Sequence, residues 1–328
     1  MIMRRREFMT LLGGAAAWPL AAHAQRRALP VIGYLYSGEP ETGASWLVAF
    51  RKGLNESGFS EGRNVAIEYR WAHNDPARLP ELAADLVRRR VAVIVTPGTA
   101  ASVLATKAAT TTIPVIFRTG GDPVALGFVD SLNRPGGNVT GINSMALEIS
   151  AKRVGLLHEL LPHAERFAVL LNPTDPNADQ YTKDLQAAAS NIGWQIEFLG
   201  ASNIREIDSA FANLPQKRPN ALLVVPQGLF TNRRVQIVTQ VTRYTLPAIY
   251  PTRDFPEIGG LMSYGSSNAE DHRLTGVYTG RILKGEKPSD LPVLRASKFE
   301  LVINLQTARI FDIEIPPTLR AIADEVIE

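Results

Sequence analysis

The sequence predicts an α/β protein of two similar lobes, each built on a doubly wound parallel sheet, with a hinge between them. The chain has 328 residues, of which 45% are hydrophobic, so it is long enough for two domains with separate cores. Apolar strand-like runs alternate with helical patterns, which is typical of parallel sheets. The second half also repeats the order of the first. The recurring landmarks are Gly58 and Gly193, Pro97 and Pro226, and Pro114 and Pro247, at separations of 135, 129 and 133 residues.

The first half begins with a strand, a loop and a helix. The strand is the apolar run Val31–Tyr36, and the helix places Trp46, Phe50 and Leu54 on one face before Gly58 ends it. The further elements predicted in this half are strands at 65–69, 91–95 and 115–117, a helix at 76–89, and an alanine-rich helix that ends at 109.

The second half contains the same kinds of element in the same order. They are strands at 167–171, 195–199, 221–225 and 246–250, a helix at 177–191, a helix that ends at 214, and a further helix before the last strand. Two segments rich in Gly and Ser, Gly137–Ser144 and Gly260–Ser266, fall between the halves. We expect these segments to be crossovers between the lobes and to act as a hinge.

The N-terminus has the pattern of an export signal. Arg4–Arg6 supply a basic start, Thr10–Leu20 is uncharged, and Ala22 and Ala24 are the small residues that precede a cleavage site. We therefore predict a signal at 1–24, cleavage after Ala24, and a periplasmic protein. The arginine pair resembles a twin-arginine signal, and an ordinary Sec signal is the alternative. No later stretch approaches the about 18 uncharged apolar residues needed for a transmembrane helix.

Composition and motifs exclude several classes of function. The 35 Lys and Arg residues nearly balance the 32 Asp and Glu residues and form no long run of one sign, so we expect no nucleic-acid partner. The absence of Cys excludes disulfides, thiolate metal sites and a cysteine nucleophile. No nucleophile elbow, phosphate loop or dinucleotide fingerprint occurs, and the five His residues lack metal-ligand spacing. We predict no catalytic residues, no cofactor and no metal, and therefore no enzyme.

Residues that follow the predicted strands are suited to binding a small zwitterion. Ligands of open parallel sheets lie at the carboxyl ends of the strands, where helix N-termini present free N–H groups. Ser37 and Thr99 could hold a carboxylate, Asp122 or Asp254 an ammonium, and aromatic rings an apolar side chain. The candidate ligand-binding residues are Tyr36, Ser37, Trp46, Thr99, Gly121, Asp122, Asn172, Thr174, Gln227, Asp254, Phe255 and Tyr264.

Four of these candidates also have a purely structural interpretation. Asp122, which precedes Pro123, and Thr99 could each cap a following helix. Asp254 could pair with the neighbouring Arg253 on the surface. Trp46 could belong to the core, since it has helical spacing with apolar neighbours.

Five segments resemble the ABC-transporter substrate-binding proteins of the tryptophan/tyrosine type. They are 120–124, 131–141, 259–265, 280–288 and 298–306, and the second of them reads SLNRPGGNVTG. The resemblance implies a type I periplasmic-binding fold with three crossovers, in which the helix Asn268–Leu283 returns to the first lobe and the strand Phe299–Ile303 completes the second. The expected boundaries are 30–142 plus 264–288 for the N-terminal lobe and 143–263 plus 289–328 for the C-terminal lobe.

We therefore expect a receptor that closes on a small organic solute, most simply an aromatic or branched amino acid, and delivers it to an ABC permease. A monomer is typical of this class. The alternatives are a ligand sensor or regulator on the same fold and a hydrolase that uses carboxylates. Gln227 stands where many family members have an acid, so ammonium recognition by the second lobe does not carry over directly from the resemblance.

Overall fold

The computed structural model describes residues 29–328, and the predicted export signal lies outside this range. It confirms the predicted fold class, because the chain forms two α/β lobes, each around one sheet with helices on its faces. Among residues 29–328, none of the helices combines the length and the apolar character needed to cross a bilayer.

The first lobe contains a six-stranded parallel sheet. Its strands are β1 (Val31–Tyr36), β2 (Ala66–Trp71), β3 (Val93–Pro97), β4 (Val115–Thr119), β5 (Val139–Asn143) and β11 (Leu294–Arg295), in the order β2-β1-β3-β4-β5-β11. Its helices are α1 (Ala44–Glu56), α2 (Leu79–Arg88), α3 (Ala100–Ala109) and α10 (Asn268–Leu283). Side chains of β1 alternate between the two faces: Ile32 and Tyr34 pack with α1 and α10, and Leu35 packs with α2.

The second lobe contains a seven-stranded sheet that is parallel except where β10 pairs with β12. Its strands are β6 (Arg166–Leu171), β7 (Gln195–Gly200), β8 (Ala221–Val224), β9 (Ala248–Tyr250), β10 (Met262–Ser266), β12 (Phe299–Asn304) and β13 (Glu325–Ile327), in the order β13-β12-β10-β9-β8-β6-β7. Its helices are α4 (Ser150–Leu160), α5 (Ala178–Asn191), α6 (Ile204–Ala212), α7 (Leu214–Lys217), α8 (Gly228–Asn232), α9 (Arg234–Arg243), α11 (Leu305–Ile310) and α12 (Pro317–Ile322).

Strand pairing shifts the expected crossovers. The strand β10 belongs to the second sheet over its whole length, so the expected boundary at 263/264 cuts through a strand. The strand β11 pairs with β5 of the first sheet, which keeps the chain in the first lobe beyond the expected boundary at 288/289. The chain therefore changes lobe after Asn143, after Ser266 and after Arg295. The two Gly- and Ser-rich segments are mainly the strands that precede crossovers, because small residues do not prevent strand formation in a buried sheet.

Helix α10 is fixed to the first lobe by close packing against α1. A Cβ atom added at Gly53 would lie 1.8 Å from the carbonyl oxygen of Arg273, and one added at Gly276 would lie 2.1 Å from that of Phe50. The two helices therefore meet backbone to backbone, which only glycine permits. As a result, α10 moves with the first lobe although it follows a strand of the second.

One fully buried arginine joins two connections of the second lobe. Arg153 of α4 donates from Nε to the carbonyl oxygen of Tyr264 (2.8 Å) and from Nη1 to that of Ala146 (2.9 Å). Tyr264 lies in the middle of β10, the strand that precedes the second crossover, and Ala146 lies just after the first crossover. Burial lowers the pKa of Arg153 to about 10, so this side chain stays charged at neutral pH.

Candidate functional site

The inner cavity lies between the lobes, at the carboxyl ends of the central strands; together with the solvent at its mouth, the space not filled by atoms is about 560 Å³. From the first lobe it is lined by Tyr36, Trp46, Thr99 and Arg118, which follow or end β1, β3 and β4 or lie on α1. From the second lobe it is lined by Gln227, Asn232 and Thr252, among others. This is the place where open parallel sheets bind ligands.

A chain of charged and amide groups runs along one wall of the inner cavity. Arg118 donates from Nη2 to Asn268 Oδ1 (2.8 Å) and forms an ion pair with Asp271, with 3.2 Å between Nη2 and Oδ2. Asn268 in turn donates from Nδ2 to Asp254 Oδ2 (2.8 Å), which also accepts a bond from the Thr252 hydroxyl (3.1 Å). The chain therefore connects a cation of the first lobe with a carboxylate of the second through the start of α10.

Burial determines the electrostatics of this wall. The side chains of Arg118 and Asp271 are 12% and 3% exposed. Desolvation raises the pKa of the Asp271 carboxyl, and the nearby Arg118 charge and the hydrogen bond from Ser266 oppose that effect. The guanidinium of Arg118 thus lines the cavity, and the carboxylates of Asp254 and Asp271 lie directly behind the lining through their bonds to Asn268, Thr252 and Arg118.

Aromatic side chains form another part of the wall. Tyr36 and Trp46 meet edge to face with 5.5 Å between ring centroids, and Trp46 stacks on His272 at 4.9 Å. Burial, aided by the Arg118 charge, lowers the pKa of His272 well below its usual value, so the imidazole is neutral. Trp46 is 6% exposed and lines the cavity, so it belongs both to the core and to the site.

A direct hydrogen bond closes the cleft beside the inner cavity. Tyr36 donates from its hydroxyl to Asn232 Oδ1 across the lobes, at 2.6 Å. Burial raises the pKa of Tyr36, so the phenol remains a donor at physiological pH. The structure therefore describes a state in which the lobes touch.

The structure places the predicted residues in three groups. Tyr36, Trp46, Thr99 and Gln227 line the inner cavity, and Asp254 lies beside it through its bonds to Thr252 and Asn268. Ser37, Asn172 and Thr174 line a neighbouring cavity between the lobes, which also includes Thr99. Gly121, Asp122, Phe255 and Tyr264 line neither of these two cavities.

Asp122 has the alternative, structural role. Its Oδ1 accepts bonds from the backbone N–H groups of Val124 (2.8 Å) and Ala125 (3.2 Å). The residue is exposed and borders a separate surface groove that also contains Glu148 and Asp184. This corrects the expectation that Asp122 and Asp254 face one another across a ligand, because the turn directs the Asp122 carboxyl back to its own backbone.

The other three residues outside the cavities contribute to packing. Phe255 is fully buried and stacks on Tyr250 with 4.6 Å between ring centroids. Tyr264 stacks on Phe299 at 6.1 Å. A Cβ atom added at Gly121 would lie 2.1 Å from Asn177 Oδ1, so this glycine permits a close contact between the lobes.

The contacts also define the roles of three further residues, Thr99, Gln227 and Arg253. Thr99 does cap α3, since its Oγ1 accepts from the N–H of Ser102 (3.3 Å), and it lines the cavity at the same time. Gln227 is 2% exposed and exchanges two hydrogen bonds with the backbone of Asn172, so its amide mainly holds the loop after β6. Arg253 pairs with Glu257 and Glu325 rather than with Asp254.

Sequence reasoning missed Arg118, Asn268, Asp271 and Asn232. The sequence did offer one signal for Arg118, because a charged residue at the carboxyl end of the apolar strand β4 is unusual and lies at the edge where ligands bind. The partners of Arg118 at the start of α10 lie 150 and 153 residues away in the chain, so spacing could not indicate them.

Comparisons with known proteins agree with this architecture. A curated relative, the tyrosine-binding protein of Clostridioides difficile (strain R20291), is 28% identical over 269 residues, which cover 81% of this chain and 76% of the relative. A solved structure described as the ABC domain in complex with L-Trp, from Streptococcus pneumoniae, has a TM-score of 0.83 at 24% identity, over 92% of this chain and 100% of that one.

A second solved structure has the same sequence identity to this chain but a lower TM-score. The ligand-free, open structure of a substrate-binding protein with adhesive properties from Clostridium difficile has a TM-score of 0.64 at 24% identity, over 92% of this chain and 99% of that one. The described arrangement of lobes is thus more similar to the L-Trp complex than to this open structure. A family model described as ABC transporter substrate binding protein matches residues 46–327, and the chain belongs to that family.

Proposed function

We propose that this protein captures an amino acid with an aromatic or branched apolar side chain in the inner cavity and delivers it to an ABC permease for import. The observation that carries the proposal is the hydrogen-bonded chain Arg118–Asn268–Asp254 beside the rings of Tyr36 and Trp46. Groups of both charge signs and an apolar surface border one interlobe cavity, which matches the parts of such an amino acid.

Each part of the ligand has a candidate partner. The carboxylate is held by Arg118 and by the free N–H groups at the start of α3, where the helix dipole favours a negative charge. The ammonium is held by Asp254. The apolar side chain packs on Tyr36 and Trp46.

Binding would be coupled to closure of the lobes. The Tyr36–Asn232 bond and the Asn268–Asp254 bond join groups that move with different lobes. A ligand that contacts Arg118 and Asp254 together gains more in the closed state than in the open one, and this difference shifts the hinge equilibrium. The closed form would then be the one that the permease recognises.

Calorimetric titration of residues 25–328 tests this function. L-Trp, L-Tyr, L-Phe and L-Leu are titrated with glycine as the control, and the recovered ligand is analysed for chemical change. We expect stoichiometric binding of at least one of the four and recovery of the ligand unaltered. A ligand at 100 times its Kd should also stabilise the fold by about 2.7 kcal/mol. Binding of none of the four, or turnover of a bound one, would contradict the proposal.

Export to the periplasm is part of the same proposal, with the protein acting there as a monomer. Its support is the pattern of residues 1–24, which lie outside the described residues. Replacing Arg5 and Arg6 together by Lys should leave precursor inside the cell if the twin-arginine route is used. Normal secretion of that variant would indicate the Sec route instead.

A further inference from the structure

The cleft contains a second space next to the inner cavity. This outer cavity has an empty volume of about 730 Å³ and is lined by Ser37, Asn74 and Thr99 of the first lobe and by Thr174 and Asp175 of the second, among others. Its walls follow β1, β2, β3 and β6, whereas the inner cavity extends to β4 and the crossovers. The outer cavity therefore lies on the side of the cleft away from the hinge.

The two cavities adjoin at a narrow boundary where the lobes touch. Thr99, Gly228 and Asn232 line both of them. A Cβ atom added at Gly228 would lie 2.4 Å from Thr99 Cγ2 and 3.8 Å from Ser37 Oγ. Because residue 228 has no side chain, the boundary between the cavities is formed by its backbone, by Thr99 and by Asn232.

The chemistry of the outer cavity differs from that of the inner one. Ser37 is 8% exposed, and among residues 29–328 its buried hydroxyl has no hydrogen-bond partner. The buried Oδ1 of Asn74 also has none in the described part of the chain. Asp175 adds a largely buried carboxyl whose pKa is raised by desolvation, and no Lys or Arg side chain is among the described residues that line this cavity.

We propose that the outer cavity selects the far end of the ligand's side chain and accepts one that donates a hydrogen bond, such as a phenolic hydroxyl, while it rejects an anionic end. This inference rests on the proposed function, because the charged head of the ligand is assigned to Arg118 and Asp254 in the inner cavity. Ser37 directly follows β1 and lines the outer cavity with a hydroxyl that can accept a hydrogen bond from the end of such a side chain. An anionic end would meet Asp175 without a compensating cation.

A series of para-substituted phenylalanines separates hydrogen-bond donation from size and charge. The probes are L-Phe, L-Tyr, 4-methoxy-L-phenylalanine, which accepts but does not donate, and 4-carboxy-L-phenylalanine, which is anionic. Calorimetry on the unaltered protein should give a Kd for L-Tyr at least tenfold below those for L-Phe and the methoxy compound. The carboxy compound should bind most weakly of the four.

Two variants test whether residues of the outer cavity cause this order of affinities. Ser37→Ala should reduce the preference for L-Tyr over L-Phe at least fivefold and change the Kd for L-Phe less than twofold. Asp175→Asn should raise the affinity for the carboxy compound at least fivefold. Ser209→Ala, an exposed serine on α6, is the matched control and should change none of these values.

The possible failures are distinguishable. Equal binding of L-Phe and L-Tyr, equal losses for both ligands in Ser37→Ala, or tight binding of the carboxy compound to the unaltered protein would each overturn the assignment of the outer cavity and leave the proposed function standing. If L-Phe, L-Tyr, L-Trp and L-Leu all fail to bind, the proposed function is overturned, and the assignment falls with it.

Discussion

Replacement of Asp254 by Ala addresses the ammonium site directly. The two protein contacts of the Asp254 carboxylate, with Asn268 and Thr252, are both made by Oδ2. Among residues 29–328 no hydrogen bond to Oδ1 occurs, so a ligand that reaches Asp254 can bond to this oxygen without displacing Asn268 or Thr252. A hydrogen bond between charged partners contributes about 1.5–3 kcal/mol. Since 1.4 kcal/mol corresponds to a factor of ten, the Kd of an amino acid should rise about 10- to 150-fold.

The assay is calorimetric titration with L-Phe, together with thermal unfolding to confirm that the variant is folded. Asp122→Ala is the matched control, because within residues 29–328 the Asp122 carboxylate bonds only to the backbone of its own turn. This control should lose about 1 kcal/mol of stability with the two backbone bonds and keep the wild-type Kd. An unchanged Kd in Asp254→Ala, or an equal loss of affinity in Asp122→Ala, would refute the assignment of the ammonium to Asp254.

Three further predictions concern charge and packing. Arg118→Met should abolish detectable ligand binding and lower the free energy of unfolding by about 3–5 kcal/mol, because it leaves the buried carboxylate of Asp271 without its cation. Calorimetry measures the binding and denaturant unfolding the stability. Retained affinity would contradict the assignment of the ligand's carboxylate to Arg118. Gly53→Ala should cost about 1–3 kcal/mol, since its Cβ would meet the backbone of α10, whereas Gly155→Ala, with nothing within 4 Å of its Cβ, should stabilise α4 by about 0.5–1 kcal/mol. A hydrogen bond from Arg70 leads the contacts that lower the pKa of Asp85 from 3.8 to about 2. The resulting stability is present above about pH 4 and is lost toward pH 2, so Asp85→Asn should flatten the dependence of the unfolding free energy on pH in that window, and an unchanged slope would count against it.

The order of elements could be predicted because it depends on local patterns. The apolar run Val31–Tyr36 is β1, and the strand predicted at 167–171 is β6, Arg166–Leu171. The lobe boundaries were less accessible, because the two-residue strand β11 is defined only by its pairing with β5. Sequence patterns do not carry that long-range information.

Part of the candidate site could also be predicted, because the ends of strands can be recognised from local sequence patterns. Tyr36 and Thr99 follow or end strands, so their position at the sheet edge follows from topology. The assumed equivalence of Asp122 and Asp254 does not hold in the structure, since one carboxyl binds its own turn and the other binds Asn268. The role of Arg118 depends on its contacts with α10, which is distant in the chain, and only the folded structure brings the two together.

The two hydrogen bonds donated by Arg153 limit where the lobes can rotate relative to one another. One guanidinium holds the carbonyl groups of Ala146 and Tyr264, so both connections are anchored on the second-lobe side. The segments that connect the lobes are then 144–145, 266–267 and 296–298, and Met145 in the first of them has a φ of 55°. Each connection is only a few residues long, so a small change in backbone dihedrals there is transmitted to the whole width of the cleft.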